Sequence, residues 1–193
     1  MARILVINGT TREGRFSEKV GQWVLEHFAG RRDLEVELLD LRDHPLPFFD
    51  QLPPAYTGRE YASEEVARFA RKVDRADGYV ILTAEYNHGY PAVLKNAMDH
   101  TFVEWHRKPV AFVGWGNVGG ARAIEQLREV AVEFEMAPLR HGVHILPEVM
   151  LPVMKSEGPL DTALFGSLEV KLSALVDDLS WWATNLAHAR ASD

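Results

Sequence analysis

The sequence contains no cysteine among its 193 residues. Disulfide bridges, thiolate nucleophiles and cysteine-ligated zinc or iron–sulfur clusters are therefore excluded. Positive charge is also scarce, because 21 lysine and arginine residues stand against 28 aspartate and glutamate residues and the formal net charge is −7. This balance argues against a broad basic surface, so we expect no nucleic-acid partner, although a few local arginines can still hold a phosphate group.

Long apolar runs are missing as well. No stretch approaches the roughly 18 consecutive apolar residues that a membrane helix requires. The first apolar run, Ile4–Ile7, is shorter than the core of a signal peptide and is followed at once by Asn8-Gly9. These features predict a protein without membrane insertion, and a cytoplasmic location is the default expectation.

The composition is that of a folded globular chain. Hydrophobic residues make up 47% of the sequence and charged residues 25%, which is too apolar for a disordered protein. A chain of this length fits one domain around one core, and no internal repeat interrupts it. We therefore predict a single domain over residues 1–193.

Apolar runs typical of buried strands alternate with amphipathic helical patterns. The predicted strands cover 4–7, 34–41, 79–82, 109–113 and 143–146. The predicted helices lie at 17–30, with Ser17 as cap and Gly30 as terminator, at 63–73, opened by Ser63, and at 94–102, 121–134 and 168–182. Because parallel neighbours need right-handed crossovers, this alternation predicts a doubly wound α/β fold. We expect a flavodoxin-like five-stranded parallel sheet in the order 2-1-3-4-5, with the strand at 34–41 at or near an edge.

The segment from His44 to Ser63 differs from the rest of the chain. It carries four prolines among several aromatic residues and shows no helical or strand period. We predict a loop without regular structure that serves as a lid or a partner contact.

The loop after the first strand reads Gly9-Thr-Thr-Arg-Glu-Gly-Arg-Phe-Ser17 and runs into a helix N-terminus. Free backbone N–H groups and the positive end of the helix dipole attract a phosphate there. Hydroxyl groups and a guanidinium can add contacts, the candidates being Thr10, Thr11, Ser17 and either Arg12 or Arg15. The pattern favours a phosphate monoester, because the Gly-Lys-Ser/Thr ending of a triphosphate-binding loop is absent. The alternative is a capped helix start with surface arginines.

The loop after the third strand reads Thr83-Ala-Glu-Tyr-Asn-His-Gly-Tyr-Pro91. An asparagine, a glycine and two tyrosines can expose backbone polar groups beside an aromatic surface, which suits the edge of a flat heteroaromatic ring. The alternative is a turn in which Tyr86 and Tyr90 serve only as packing residues.

The loop after the fourth strand, Gly114-Trp-Gly-Asn-Val-Gly-Gly120, has the glycine spacing of a dinucleotide-binding fingerprint. That fingerprint belongs to the first strand–helix turn and needs an acidic residue about 20 positions later at a strand end. Here Glu133 and Glu135 lie at the end of a helical pattern instead. The preferred interpretation is that small residues let the backbone approach a planar ligand held by the other two loops.

Taken together, the motifs Gly9–Ser17, Glu85–Pro91 with Leu94–Ala97, and Gly116–Gly120 resemble the NAD(P)H-dependent FMN reductase family of flavodoxin-like proteins over nearly the whole chain. The resemblance implies FMN as cofactor and NAD(P)H as electron donor. It implies that the FMN phosphate is held by Thr10, Arg12, Arg15, Phe16 and Ser17. It also implies that Glu85, Tyr86, Asn87 and Gly89 border the isoalloxazine ring, with Gly116, Gly119 and Gly120 along its other side. Family members often carry serine where Thr10 stands.

The implied activity is an oxidoreductase that takes hydride from NAD(P)H onto FMN and passes electrons to a small-molecule acceptor such as a quinone, a flavin or an azo compound. Because the cofactor carries this chemistry, we predict no catalytic side chain. We also predict no metal site, since His141 and His144 stand three residues apart on a predicted strand and therefore point to opposite faces. By the same resemblance we expect a homodimer or a homotetramer. The alternative is a flavodoxin-type electron carrier, which shares the fold and FMN but does not oxidise NAD(P)H.

Overall fold

The computed structural model of the chain describes residues 1–61 and 63–192. Ala62, in the predicted proline-rich loop, and Asp193, at the end of the predicted domain, lie outside the described residues, as does the side chain of Ala55. The single-domain prediction over 1–193 therefore stays a prediction.

Five parallel strands form one sheet in the order β2-β1-β3-β4-β5. They are β1 (Ala2–Asn8), β2 (Leu34–Asp40), β3 (Gly78–Ala84), β4 (Pro109–Trp115) and β5 (Ala137–Ile145). The predicted fold class and strand order are confirmed. Every residue of β3 and β4 is buried, whereas β2 has exposed residues at Glu35, Glu37 and Leu38, as expected for an edge strand.

Helices cover both faces of this sheet. The described residues contain α1 (Ser17–Phe28), α2 (Pro54–Thr57), α3 (Glu64–Arg75), α4 (Ala92–Asp99), α5 (Ala121–Glu133), α6 (Pro147–Lys155) and α7 (Glu169–Arg190), with short 3-10 helices at Leu41–Asp43, Val103–Trp105 and Thr162–Leu168. Successive residues of β1 point to opposite faces, so Ile4 and Val6 pack with α1 and α7, and Leu5 and Ile7 pack with α3, α4 and α5. The sheet is thus the middle layer of three.

The structure corrects two local predictions. The N-cap of α1 is Phe16, with no side-chain capping bond, and Ser17 is the first helical residue. The proline-rich segment is not wholly irregular, because Pro53 and Pro54 pre-set the backbone for the four-residue helix α2. The helix α3 begins where expected, because Ser63 is its N-cap and accepts a hydrogen bond from the Val66 N–H at 3.3 Å.

The helix α6 was not predicted from the sequence. Pro147 stands in its first turn, where a missing N–H is tolerated, but Pro152 lies inside it and hides the helical pattern. Within the parts of the chain that are described, no helix is both long enough and apolar enough to cross a membrane.

Candidate functional site

A cavity of about 180 Å³ lies at the carboxyl ends of β1, β3 and β4. It is lined by Thr10, Arg12, Arg15, Phe16, Ala84, Glu85, Tyr86, Trp115, Gly116, Met150 and Met154. The three loops singled out by the sequence therefore meet at one place. Larger cavities of about 320 and 390 Å³ lie under the proline-rich segment and at the amino ends of the strands, and they share no residue with these loops.

The loop after β1 leaves the sheet through a close backbone contact at Gly9. The Gly9 N–H donates to the Leu82 carbonyl at 3.0 Å, and a Cβ on Gly9 would lie 2.8 Å from that oxygen. Farther along, the buried hydroxyl groups of Thr10 and Ser17 are hydrogen-bonded at 2.7 Å. Ser17 thus links the loop to the first turn of α1 through this hydrogen bond, and Thr10 lines the cavity.

The two arginines of this loop have different surroundings. The Arg15 side chain is only 3% exposed, and its guanidinium forms a bidentate ion pair with Asp40, at the end of β2, with one Nη1–Oδ1 distance of 2.8 Å. It also donates to the Thr10 carbonyl and, through Nε at 3.2 Å, to Glu18. Arg12 is exposed, and its guanidinium carbon lies 5.9 Å from the centre of the Tyr86 ring, within cation–π range.

Asp40 stays charged because it is paired. Burial raises the pKa of its carboxyl, but the hydrogen bonds from Arg15 and from the Arg42 N–H outweigh burial, so the pKa lies below its usual value. Burial opposes the charge of Arg15, and Asp40 and Glu18 outweigh that effect and raise its pKa. Both partners are therefore ionised at neutral pH, and the pair is a fixed feature beneath the loop.

The loop is chemically suited to an anion. Among the hydrogen bonds between described residues, none is donated by the backbone N–H groups of Thr11, Arg12 and Glu13. These donors precede the N-terminus of α1, whose dipole favours negative charge. Unpartnered N–H groups together with one exposed guanidinium fit a phosphate monoester.

The loop after β3 makes a tight two-residue turn. Tyr86 and Gly89 exchange backbone hydrogen bonds of 2.8 and 3.0 Å, and the residues between them, Asn87 and His88, have φ angles of 50° and 70°. Asparagine accepts such left-handed geometry more readily than most residues, which explains its place here. The turn leaves Tyr86 37% exposed at the edge of the cavity.

The Glu85 carboxylate is used to join two loops. It forms an ion pair with the Arg122 guanidinium and accepts a 3.2 Å hydrogen bond from the Arg122 N–H in the first turn of α5. The Glu85 N–H donates in turn to the Trp115 carbonyl at 2.9 Å. Glu85 therefore fixes the ring-facing loop against the glycine loop.

The glycines after β4 are required mainly by close packing. Gly116, at φ 146°, lines the cavity against Glu85. A Cβ on Gly119 would lie 2.8 Å from the His144 Cβ, and a Cβ on Gly120 would lie 2.8 Å from the Trp115 nitrogen. The predicted contacts of Gly119 and Gly120 with a ring stay predictions. Glu133 ends the helix α5 rather than a strand, so it does not stand where a dinucleotide fingerprint requires its acidic residue.

Sequence reasoning missed one wall of the cavity. Met150 and Met154 project from α6, whose C-terminal carbonyl groups are held by Lys19, with Nζ at 2.7 Å from both the Val153 and the Ser156 oxygens. A proline at the first turn followed by an acidic residue was the available signal. The floor was also missed: it includes Trp115, whose ring meets the predicted Phe16 edge to face at 5.8 Å.

Comparisons with known proteins point to the same chemistry. The sequence profile of the family described as NADPH-dependent FMN reductase matches residues 2–150. An NAD(P)H-dependent FMN reductase of Schizosaccharomyces pombe is 36% identical over 166 residues, which covers 84% of this chain and 80% of that protein. One from Saccharomyces cerevisiae is 33% identical over 167 residues, covering 78% and 87%. The solved structure of FerB, a flavoenzyme NAD(P)H:(acceptor) oxidoreductase from Paracoccus denitrificans, matches with a TM-score of 0.71 at 22% identity over 96% of this chain and 98% of that one, which shows the shared fold.

Proposed function

The chain belongs to the NADPH-dependent FMN reductase family, and we propose that it binds FMN in the cavity at the carboxyl ends of β1, β3 and β4 and uses NAD(P)H to reduce a small-molecule acceptor there. The observation that carries this proposal is the meeting of the three loops at one cavity. An anion-binding loop, a ring-facing turn and a glycine loop supply what the phosphate and the flat ring of FMN require.

The phosphate is assigned to the loop between Thr10 and Ser17. Support comes from its unpartnered N–H groups and from the exposed Arg12 guanidinium. Arg15 is already bound to Asp40 and to the Thr10 carbonyl. We therefore propose that Arg15 stabilises the conformation of the loop and does not contact the phosphate itself. Phe16 contributes apolar wall, and Ser17 acts through its hydrogen bond to Thr10.

The ring is assigned to the turn after β3 and to the glycine loop. Glu85 and Tyr86 line one side of the cavity, and Gly116, backed by Gly119 and Gly120, lines the other. Asn87 and Gly89 are not among the lining residues, and we assign them to the ring border only as parts of the turn that holds Tyr86. The cavity is open on one side, and its volume of about 180 Å³ is smaller than that of the pockets that surround small molecules, which are about 300–1,000 Å³. Part of a bound FMN therefore stays accessible, as an enzyme that must admit both a donor and an acceptor requires.

When bound, FMN supplies the chemistry of accepting hydride from a nicotinamide and of giving electrons to an acceptor. The chain's own residues bind and orient: the loop N–H groups hold the phosphate, and the bridged Tyr86–Gly89 turn presents a rigid border. Trp115 and Phe16 keep water from the apolar floor. The reaction demands no side-chain acid or base, and we assign no catalytic residue.

The test is an absorption spectrum of the purified protein with added FMN, recorded anaerobically before and after NADPH and then NADH. We expect a bound-flavin band that one or both donors bleach and that a quinone or air restores. A bound flavin that neither donor reduces would indicate the electron carrier instead. No flavin binding at all would overturn the assignment of the cavity.

The acceptor and the assembly belong to the same proposal. We infer that the acceptor is a quinone, a flavin, an azo compound or a similar molecule, which acceptor-dependent NAD(P)H oxidation would rank. We also infer a homodimer or homotetramer, supported by Phe48, Leu52 and Tyr56, which are 86%, 72% and 84% exposed. Light scattering at several concentrations tests this, and a mass of 21.8 kDa throughout would contradict it. A cytoplasmic location is likewise proposed and is tested by cell fractionation.

A further inference from the structure

Three successive peptide carbonyl groups of the loop after β1 are bound by arginine side chains. Arg15 donates from Nη1 to the Thr10 carbonyl. Arg42, which lies in the 3-10 helix after β2, donates from Nε to the Thr11 carbonyl at 3.1 Å and from Nη2 to the Arg12 carbonyl at 2.5 Å. All three carbonyl groups are therefore turned toward the same edge of the sheet.

Because the peptide bond is planar, the directions of these carbonyl groups also fix the directions of the N–H groups in the same peptides. In a trans peptide the carbonyl and the following N–H point in opposite directions, so the N–H groups of Thr11, Arg12 and Glu13 point away from the two guanidinium groups. Arg42 and Thr11 line a separate cavity of about 310 Å³, whereas Arg12 lines the candidate site. The loop thus shows its carbonyl groups to one side and its N–H groups to the other.

The arginines are themselves held in place by two carboxylates. Asp40 Oδ1 accepts from Arg15 Nη1 at 2.8 Å and from the Arg42 N–H at 2.9 Å. Glu18 Oε1 accepts from Arg42 Nη1 at 2.8 Å and from Arg15 Nε at 3.2 Å. A planar guanidinium with several donors in a fixed fork can meet two carbonyl groups and a carboxylate together, which a lysine ammonium at the end of a flexible chain cannot reproduce.

We propose that Arg42 is a positioning residue for the FMN phosphate: by fixing the Thr11 and Arg12 carbonyl groups, it aims the N–H groups of Arg12 and Glu13 at the phosphate. Arg42 lines the neighbouring cavity, is not among the residues that line the candidate site, and acts through the loop. The inference rests on the proposed function, because it assumes that the phosphate lies at this loop. It assigns a role in cofactor binding to a residue outside the three sequence motifs.

The test compares two ligands that differ only in the phosphate. Dissociation constants of FMN and riboflavin are measured by flavin fluorescence for the wild type, Arg42→Met and Arg42→Lys. Arg42→Met is expected to weaken FMN about tenfold, as the loss of well-aligned hydrogen bonds to a charged group predicts, with riboflavin changed less than about twofold. Arg42→Lys should fall between. In parallel, adding inorganic phosphate should shift the Arg12 and Glu13 amide resonances of the wild type and leave those of Arg42→Met in place.

Arg31→Met is the matched control. Arg31 also pairs with two carboxylates, Asp33 at 2.8 Å and Asp177 at 2.6 Å, but among the described residues its side chain donates to no carbonyl group of the loop after β1. Its substitution should leave the ratio of the FMN and riboflavin constants unchanged. If Arg42→Met keeps the wild-type ratio, the positioning role is overturned, and if that variant fails to fold, a wild-type ratio in Arg42→Lys overturns it. If the wild type itself binds FMN no more tightly than riboflavin, the phosphate assignment of the proposed function fails first, and with it this inference.

Discussion

The two loops that frame the candidate site are held by different kinds of interaction. The loop after β1 is held by charged side chains, in which Arg15 and Arg42 bind its carbonyl groups and share Asp40. The glycine loop after β4 is held by backbone geometry, with left-handed residues pressed against β4 and β5. We therefore expect the loop after β1, at the phosphate end of the site, to be sensitive to changes in charge, pH and salt. The glycine loop after β4, at the ring end of the site, should instead be sensitive to added side-chain volume.

The largest effect is expected from Gly120→Ala. Gly120 has a φ of 73°, and its new Cβ would lie 2.8 Å from the Trp115 nitrogen, so backbone must shift at the end of a buried strand. We expect a loss of about 2–4 kcal/mol in the free energy of unfolding, measured by urea titration. Gly166→Ala is the control, because its Cβ would meet nothing within 4 Å. Equal losses in both variants would contradict the role given to backbone packing.

Asp40→Asn tests whether charged side chains hold the loop after β1. It leaves the almost fully buried Arg15 without its carboxylate partner, which we expect to cost about 2 kcal/mol in unfolding free energy, below the range for wholly buried pairs because the Asp40 side chain is 18% exposed. FMN binding should weaken as well, since the same carboxylate supports Arg42 through its N–H. Unchanged stability would show that the pair does not hold the loop.

The pH dependence of stability provides a second measure of the same pair. The pKa of Asp40 is lowered in the folded protein, so its contribution to stability is complete above the unfolded pKa of about 3.9 and is lost as the pH falls toward the folded value. Urea titrations between pH 6 and acid conditions should therefore show a smaller loss in Asp40→Asn than in the wild type. A loss of the same size in both proteins would contradict the contribution of Asp40 to the pH dependence of stability.

Arg12→Met separates binding from folding. Arg12 is exposed and lies beside Tyr86, so the unfolding free energy should change by less than about 0.5 kcal/mol. FMN affinity should fall by about tenfold, because a charge-assisted contact to phosphate is lost, and riboflavin affinity should stay the same. Arg15→Met, in contrast, should lower stability. The reverse pattern would exchange the roles assigned to the two arginines.

The smallest effect is expected from salt. Raising the ionic strength screens an exposed guanidinium–phosphate contact, so the FMN dissociation constant should rise a few-fold from about 0.05 to 0.5 M salt. Riboflavin binding, which depends on the ring end, should change little. Isothermal titration at both salt concentrations measures the dissociation constants of FMN and riboflavin. If salt changes both constants equally, the phosphate end and the ring end of the site do not differ in their dependence on charge.

Much of the fold could be predicted because its signals are local. The apolar runs at Ile4–Ile7 and Tyr79–Leu82 lie within the strands β1 and β3, and Ser63 caps α3 as its position indicates. The convergence of the three loops follows from strand order, since the carboxyl ends of parallel strands share one edge. The helix α6 was not predicted because Pro152 interrupts its helical pattern. The cavity wall that Met150 and Met154 form was therefore not predicted either.

The sequence by itself determined the class of the fold and the positions of its main strands and loops, because periodicity and turn residues act over short distances along the chain. The strand order was expected from the fold class as its simplest topology, and it is confirmed. Only the tertiary structure decided that Arg15 is bound and Arg12 is exposed, and that Arg42 takes part at all. Arg15 and Asp40 are 25 residues apart, and Arg42 and Thr11 are 31 apart. Those contacts exist because β2 pairs in parallel with β1 and brings Asp40 beside Asn8, a register that no local pattern encodes.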